Sequence, residues 1–495
     1  MKYEAVIGLE VHAELATRSK MFCACPVVDL TVAEPNTAVC PVCAGMPGVL
    51  PVANQQAVEL ALRVALALDC TVAHTSLFAR KNYFYPDLPK GYQISQYEYP
   101  LAENGRLVIE TGQGERTIHI RRVHLEEDTG KLTHVRSADG EAYSLVDLNR
   151  AGVPLLEIVS EPDMHTLEEV RAYATSLRAI LRAVSASSGD MEKGAMRFEA
   201  NVSIRPVGSI NLGKRVEIKN LNSFRAMQHA VAYELKRQAE ILDRGGQVEQ
   251  ETLGWDDLNA TTYSQRSKEE AHDYRYFPEP DLPPLVVEPQ WVEQVRASLP
   301  ELPFARKKRF EGEYNLPSGD AEMLSTELAL SNYFEETVRQ AEAQGVNART
   351  VANWITGELF GYLNQSGETL EQLKVTPEAL AALLATISHG EINIPTAKNV
   401  LGEMLRTGNS AGEIIAARGL QQVSDADFIS TLVTQALKQN PEELKSYLKG
   451  KETLSNWFFG MVMRLAGGKA NPQVVRTELE RQLAQEKENN GTAEN

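Results

Sequence analysis

Residues 197–203 read Arg-Phe-Glu-Ala-Asn-Val-Ser, and the run 198–204 has the composition of a strand. In a strand, side chains at i and i+2 leave on the same face, so Arg197, Glu199, Asn201 and Ser203 share one side. A wholly polar strand face calls for water, a ligand or partner groups, because burying it unpaired is costly. The same alternation describes the wet side of an ordinary sheet, and pattern alone does not separate the two.

Outward from this segment, the N-terminal third is rich in strand and loop signals. Residues 5–12 read as a strand that ends in Glu10 and His12, again two apart and on one face. A carboxylate and an imidazole so placed can share a divalent ion, although Glu-x-His is also a common surface pair. His124-Leu125-Glu126-Glu127-Asp128 follows Arg121-Arg122. Facing Glu10 and His12, it would complete an oxygen-rich site suited to Mg²⁺; alone it reads as a solvated face. Residues 106–110 and 117–120 form a predicted hairpin around Gly112 and Gly114, and 215–218 a further strand. Helices are predicted at 55–68, at 166–187 behind the capping box Thr166-Leu167-Glu168-Glu169, and from Ser223 to Gly245-Gly246. The class is α+β.

Composition shifts at Pro278, Pro280, Pro283, Pro284 and Pro289, and helical periodicity takes over at 321–344, 348–363, 377–388 and 396–407. The expected organisation is a mixed first domain over 1–292, a helical domain over 293–408 and a small helical tail domain over 409–485. Residues 408–423 are expected as a hinge and 486–495 as a disordered end.

Between Arg80 and Gln93, cations interleave with aromatics and two prolines, which suits a loop that binds phosphate and stacks a base or ribose. A packed aromatic loop has the same composition. Four of five cysteines cluster as Cys23-x-Cys25 and Cys40-x-x-Cys43, a spacing that lets four thiolates close a tetrahedral zinc shell. A closed four-thiolate site is scaffold rather than reaction centre; the bland alternative is four unrelated buried cysteines. The phosphate loop Gly-x-x-x-x-Gly-Lys-Ser/Thr, the dinucleotide fingerprint and the Gly-x-Ser-x-Gly elbow are not in the sequence.

The 495 residues carry a net charge of -17, which argues against a chain that wraps RNA with its whole surface. Any nucleic acid must meet a local basic patch, with Lys307-Lys308-Arg309 and Arg464/Lys469 as candidates. No run near 20 residues is continuously apolar, and the N-terminus lacks a signal-like apolar region, so a cytoplasmic location is expected.

In order, seven segments resemble one family: Gly8-Leu9-Glu10-Val11-His12, Arg80-Lys81-Asn82-Tyr83-Phe84-Tyr85-Pro86-Asp87, Tyr92-Gln93-Ile94-Ser95-Gln96, His124-Leu125-Glu126-Glu127-Asp128, Val146-Asp147-Leu148-Asn149-Arg150, Glu217-Ile218-Lys219-Asn220-Leu221-Asn222-Ser223 and Asp273-Tyr274-Arg275-Tyr276-Phe277-Pro278-Glu279-Pro280-Asp281. With Gly468-Lys469-Ala470-Asn471-Pro472 they resemble the B subunit of tRNA-dependent amidotransferases, the GatB/GatE family, over nearly the whole chain.

The resemblance implies a glutamine-synthetase-like antiparallel-sheet cradle, then an all-α helical domain and a small helical tail domain that binds tRNA. It implies a ligase that uses ATP and Mg²⁺ to phosphorylate the side-chain carboxylate of Glu or Asp misacylated on tRNA(Gln) or tRNA(Asn). Ammonia from a glutaminase A subunit then displaces phosphate. A C subunit completes the heterotrimer, and a non-discriminating aminoacyl-tRNA synthetase supplies the substrate. By position, it assigns Mg²⁺ to Glu10, His12 and Glu127, with Glu126 beside them and Lys81 as a site lysine. Tyr83, Glu157, Glu199, Asn201, Glu217 and Lys219 become substrate- and ATP-binding residues, and Cys23, Cys25, Cys40 and Cys43 ligands of a structural zinc. Glu199 stands where many members carry Asp, and Gly467 replaces a commonly charged residue before Gly468. The alternative is a stand-alone ATP-dependent ligase of glutamine-synthetase type acting on a small carboxylate; a zinc-bearing RNA-binding module leaves the acidic cluster unexplained.

Overall fold

The structure is a computed structural model that describes the backbone of residues 2–137, 139–266, 274–421, 426–467 and 470–493. It divides into two compact units, residues 1–306 and 307–495. The first unit is mixed α and β. In chain order its strands are β1 (Tyr3–Glu14), β2 (Thr71–Val72), β3 (Thr75–Ser76), β4 (Ala79–Asn82), β5 (Tyr92–Ser95), β6 (Ala102–Thr111), β7 (Gly114–Glu127), β8 (Lys131–Arg136), β9 (Ala142–Asp147), β10 (Pro154–Ser160), β11 (Met196–Pro206), β12 (Val216–Leu221), β13 (Thr252–Asp256), β14 (Thr261–Arg266), β15 (Phe277–Pro278) and β16 (Leu285–Val286). Its helices are α1 (Gln55–Ala67), α2 (Leu167–Ala183), α3 (Phe224–Asp243) and α4 (Pro289–Ala297).

Nine strands form one sheet in the order β14-β13-β12-β11-β1-β10-β7-β6-β2. Alternation along the central strands separates its two faces. Ile7, Leu9, Val11 and Ala13 of β1, Leu156 and Ile158 of β10 and Phe198, Ala200 and Val202 of β11 are buried against α1, α2 and α3. The opposite face is polar. Register places Glu10 across from Glu199 and Val159, and His12 across from Arg197 and Glu157. The sheet is not purely antiparallel as expected: β12 and β13 pair in parallel. Helix α3 lies between them in sequence, and a parallel neighbour needs such a crossover.

The predicted capping box is present at Thr166, but α2 stops at Ala183, short of 187, and Ser185 takes a left-handed conformation (φ 56°). Ser223 caps α3 as the sequence suggests. Beyond the proline-rich segment, Val295 of α4, Leu299 and Leu302 still pack into the first core.

After α5 (Pro303–Glu313), the second unit is helical: α6 (Ser318–Ser325), α7 (Leu328–Glu342), α8 (Ala348–Trp354), α9 (Phe360–Ser366), α10 (Pro377–Ser388), α11 (Ile394–Thr407), α12 (Ala411–Arg418), α13 (Ala426–Gln439), α14 (Pro441–Leu448), α15 (Leu454–Leu465) and α16 (Pro472–Ala493). The single helix expected at 321–344 is two, because the Ser325 and Thr326 hydroxyls both bond the Glu322 carbonyl and Glu327 turns extended. A π-turn at Ile355–Leu359 joins α8 to α9. The expected hinge contains α12. Ser410 and Glu413 cap it reciprocally, Gly419 ends it in the left-handed region, and Ile414 and Ile415 join the core of α6–α11; residues 422–423 lie outside the described residues. A separate small core gathers α13, α15 and α16. Helix α16 runs on to Ala493 through the segment expected to be disordered, steadied where Lys487 meets Glu452 and the Tyr447 ring.

Candidate active site and four-cysteine knuckle

Five adjacent strands, β12, β11, β1, β10 and β7, each give the polar face at least one charged side chain. His12 Nε2 lies 3.4 Å from Glu157 Oε2 and 3.7 Å from Glu126 Oε1. His124 reaches the same Glu157 oxygen at 3.3 Å. These residues are almost wholly buried, so their charges matter more than on a surface. Burial alone would keep His12 neutral, but its bond to Glu157 and the nearby acids push its pKa up to about 9. Burial pushes Glu157 the other way, yet His124 and His12 hold its carboxyl well below the usual range.

Beside this group, Glu10, Glu199 and Glu217 converge within one ligand shell. Lys219 donates to Glu199 and lies 3.2 Å from Glu217. Burial disfavours its charge, but Glu199 and Glu217 hold its pKa up. Asn201 Nδ2 donates to Glu10 Oε1 at 2.8 Å, while Asn201 Oδ1 is buried with no hydrogen-bond partner. Burial together with the acids Glu157 and Glu199 raises the Glu10 pKa.

Of the expected ligand set, Glu10 and His12 fall in these two neighbouring groups, and Glu127 in neither. Successive strand residues face opposite ways, and Glu126 takes the polar face. Glu127 points into the far side, where it accepts from the Lys90 ammonium and from the Ile94 amide at 2.9 Å.

Lys81 and Tyr83 come from the edge of β4. Burial opposes the Lys81 charge, but Glu126 holds its pKa up, and its ammonium lies 5.2 Å over the Tyr274 ring. Tyr83, Tyr274 and Tyr276 meet edge to face, and Tyr276 stacks flat on Tyr97 at 4.1 Å. Arg122 closes the row, 5.8 Å from the Tyr97 ring centre and 4.0 Å from Glu157. This aromatic wall therefore runs from Lys81 to Arg122 along the His12/Glu126/Glu157 group. Arg80, in the same motif, is structural: its guanidinium grips the buried Glu279 with two bonds of 2.7 and 2.8 Å. Asp273 lies outside the described residues. The reading from sequence missed His124 and Arg122 as site residues, although Arg122, His124 and Glu126 recur at every second residue, which was a signal.

The four cysteines meet as their spacing suggests. Cys43 Sγ lies 3.9 Å from Cys40 Sγ and 4.0 Å from Cys25 Sγ. Thiolates at about 2.3 Å from a tetrahedral zinc stand about 3.8 Å apart, so these residues fit the ion. Contact with Cys23 pulls the Cys43 pKa down to about 4, against burial, and burial pushes Cys25 up to about 11. Lys20, fully buried, directs its ammonium to the Ala38 and Leu148 carbonyls (2.8 and 3.1 Å) and to Cys43 Sγ at 3.5 Å. Asn149 fastens the same loop to the turn before β10 through Ala38 and Glu34.

The model of the GatB/GatE catalytic domain matches residues 5–293. The chain belongs to the GatB/GatE family. A second model, the GatB domain, matches residues 332–483. The B subunit of the Aspartyl/glutamyl-tRNA(Asn/Gln) amidotransferase of Thermodesulfovibrio yellowstonii is 51% identical, over 96% of this chain and 98% of its own. The relative of the same name from Moorella thermoacetica is 51% identical over 98% of this chain and 100% of its own, and that from Thermoanaerobacter pseudethanolicus 48% identical over the same shares. Family membership thus accounts for the catalytic unit and for most of the helical unit together.

Proposed function

We propose that the chain activates the side-chain carboxylate of Glu or Asp misacylated on tRNA(Gln) or tRNA(Asn), by phosphorylation from ATP, and then amidates it. The observation that carries this reading is the His12/Glu126/Glu157 group, buried between Lys81 and Lys219 on a sheet face of a GatB/GatE chain. A carboxylate is a poor electrophile, and a phosphoryl group supplies the leaving group that ammonia displaces. Two carboxylates and an imidazole within one ligand shell fit a divalent ion, assigned as Mg²⁺. That ion supplies charge neutralisation on the transferring phosphoryl group.

The chain's own residues do the rest. Lys81, kept charged by Glu126, faces the developing negative charge on the phosphoryl oxygens. Lys219 offsets one of the charges of the Glu10, Glu199 and Glu217 group, so that these three carboxylates repel an anionic nucleotide less. His124 and Arg122 orient Glu157. The aromatic wall offers stacking surface for the terminal adenosine of the aminoacyl-tRNA and limits water at an intermediate prone to hydrolysis. The zinc knuckle holds the turn before β10, and hence Glu157.

Ammonia comes from a glutaminase A subunit, with a C subunit completing a cytoplasmic heterotrimer fed by a non-discriminating synthetase. Co-purification with an A subunit, followed by transamidation of both misacylated tRNAs, tests the reading. Amide formation that needs ATP, tRNA and the partner supports it. Activity of the chain alone on a free amino acid would replace it with the stand-alone ligase.

A further inference from the structure

Lys20 is wholly buried, a place that lysine almost never takes without a negative partner. Among the described residues no carboxylate lies within ion-pair distance of it. An ammonium has three hydrogen-bond donors. Two of them meet the carbonyls of Ala38 (2.8 Å) and Leu148 (3.1 Å), and the third meets Cys43 Sγ at 3.5 Å. Carbonyl dipoles solvate the ammonium but bring no charge. The negative charge that offsets its burial therefore comes from the sulfur cluster.

The balance also holds from the metal's side. Four thiolates around a divalent zinc leave two negative charges over. Cys23, Cys25 and Cys40 are partly exposed and share theirs with water, whereas Cys43 is buried. Its sulfur accepts from two N–H groups instead, the Lys20 ammonium and the Cys40 amide at 3.2 Å. Gly152, at φ 85°, lays its bare backbone against this contact; a Cβ there would meet Cys43 at 3.5 Å and the Lys20 stem at 3.6 Å. A mere strut between Ala38 and Leu148 needs only two donors, and a neutral amide side chain supplies those at a smaller desolvation cost. The charge is what the strut reading leaves unexplained.

We propose that Lys20 is the counter-ion of the four-thiolate centre. Its ammonium donates to the metal-bound Cys43 sulfur, offsets part of the charge of the loaded knuckle and so sets how tightly the metal is kept. This rests on the reading that the four cysteines hold zinc. The same ammonium binds the Leu148 carbonyl, so the metal centre and the turn before β10 share one side chain.

The test uses the full chain co-purified with its partner subunits. Zinc affinity is read by competition with a chromophoric chelator in the wild type, in Lys20→Met and in Lys20→Gln, which keeps hydrogen-bond donors but not the charge. Both variants should hold zinc at least about tenfold more weakly, the range in which outer-shell partners of metal ligands act. With cobalt(II) in place of zinc, the sulfur-to-metal charge-transfer band of both variants should move to longer wavelength, because a sulfur that loses a charged donor gives electrons to the metal more readily. Wild-type zinc affinity in the variants, with melting temperatures that fall equally in metal-loaded and metal-stripped complexes, makes Lys20 a strut and overturns the proposal while the zinc reading stands. A wild-type complex that holds no zinc by elemental analysis sinks both. Lys20→Gln carries both readouts should Lys20→Met not fold.

Discussion

On β7, Glu126 turns toward His12, while its neighbour Glu127 is consumed by Lys90 and the Ile94 amide. The two therefore separate chemistry from stability. Glu126→Gln should abolish ATP-dependent activation with the fold retained. Glu127→Gln should instead strand the Lys90 charge and cost ~3 kcal/mol of unfolding free energy, a typical loss for breaking a buried pair. Kinetics and denaturant melts on both variants check this; a stable but inactive Glu127→Gln would return Glu127 to the metal site. Glu14, at the end of β1, offers a pH test. Burial and the Asp128 charge push its pKa up to about 7, against Arg197 and Arg150. The folded chain thus holds a proton that the unfolded chain releases near 4.5. A raised pKa gives stability at low pH that is lost as pH rises through the folded value. Between about pH 5 and about pH 8, wild type should lose on the order of 2 kcal/mol relative to Glu14→Gln. Parallel stability curves for the two proteins would show that Glu14 does not hold that proton.

The knuckle, as an element, is coupled to catalysis through the segment that leads into β10. Lys20 and Asn149 tie it to residues 146–152, which lead directly into β10 and Glu157. Cys40→Ser should release zinc and lower the melting temperature of the first unit; a variant that loses the metal yet melts like wild type would remove the scaffold role. Alternation made the polar sheet face legible from the sequence, because Glu10/His12 and Glu199/Asn201 each repeat at two residues. Which of two adjacent glutamates looks inward was not legible, since it depends on the pairing of β7 with β10. Helix α12 was hidden because Gly408, Ser410 and Gly412 read as hinge, although Ser410 and Glu413 already spell a capping box. Ser410→Ala should cost about 1 kcal/mol in the helical unit, read by denaturant melting.

For the chain in its entirety, a net charge of -17 must still allow tRNA to bind. Of the basic candidates, Lys307, Lys308 and Arg309 all meet carboxylates. Lys307 pairs with Glu322, Lys308 with Glu311 and Arg309 with Glu335, so part of their charge is offset inside the helical unit. Lys469 lies outside the described residues. The small C-terminal core presents a better set. Lys445 and Lys449 stand one helical turn apart on and beside α14, Lys451 follows, and all three make no ion pair among the described residues. Each phosphate contact releases about one condensed counterion, so the slope of log K against log salt counts such contacts. Lys445→Glu, Lys449→Glu and Lys451→Glu together should weaken tRNA binding at low salt and flatten that slope by roughly 2 to 3. ATP hydrolysis should not change, because these lysines sit on a core separate from the sheet. A truncation aimed at the same question belongs after Leu420 rather than after Gly408, since Ile414 and Ile415 help to complete the larger helical core. An unchanged salt slope in the triple variant, with tRNA affinity also unchanged, would move the RNA contact off this domain and onto the partner subunits.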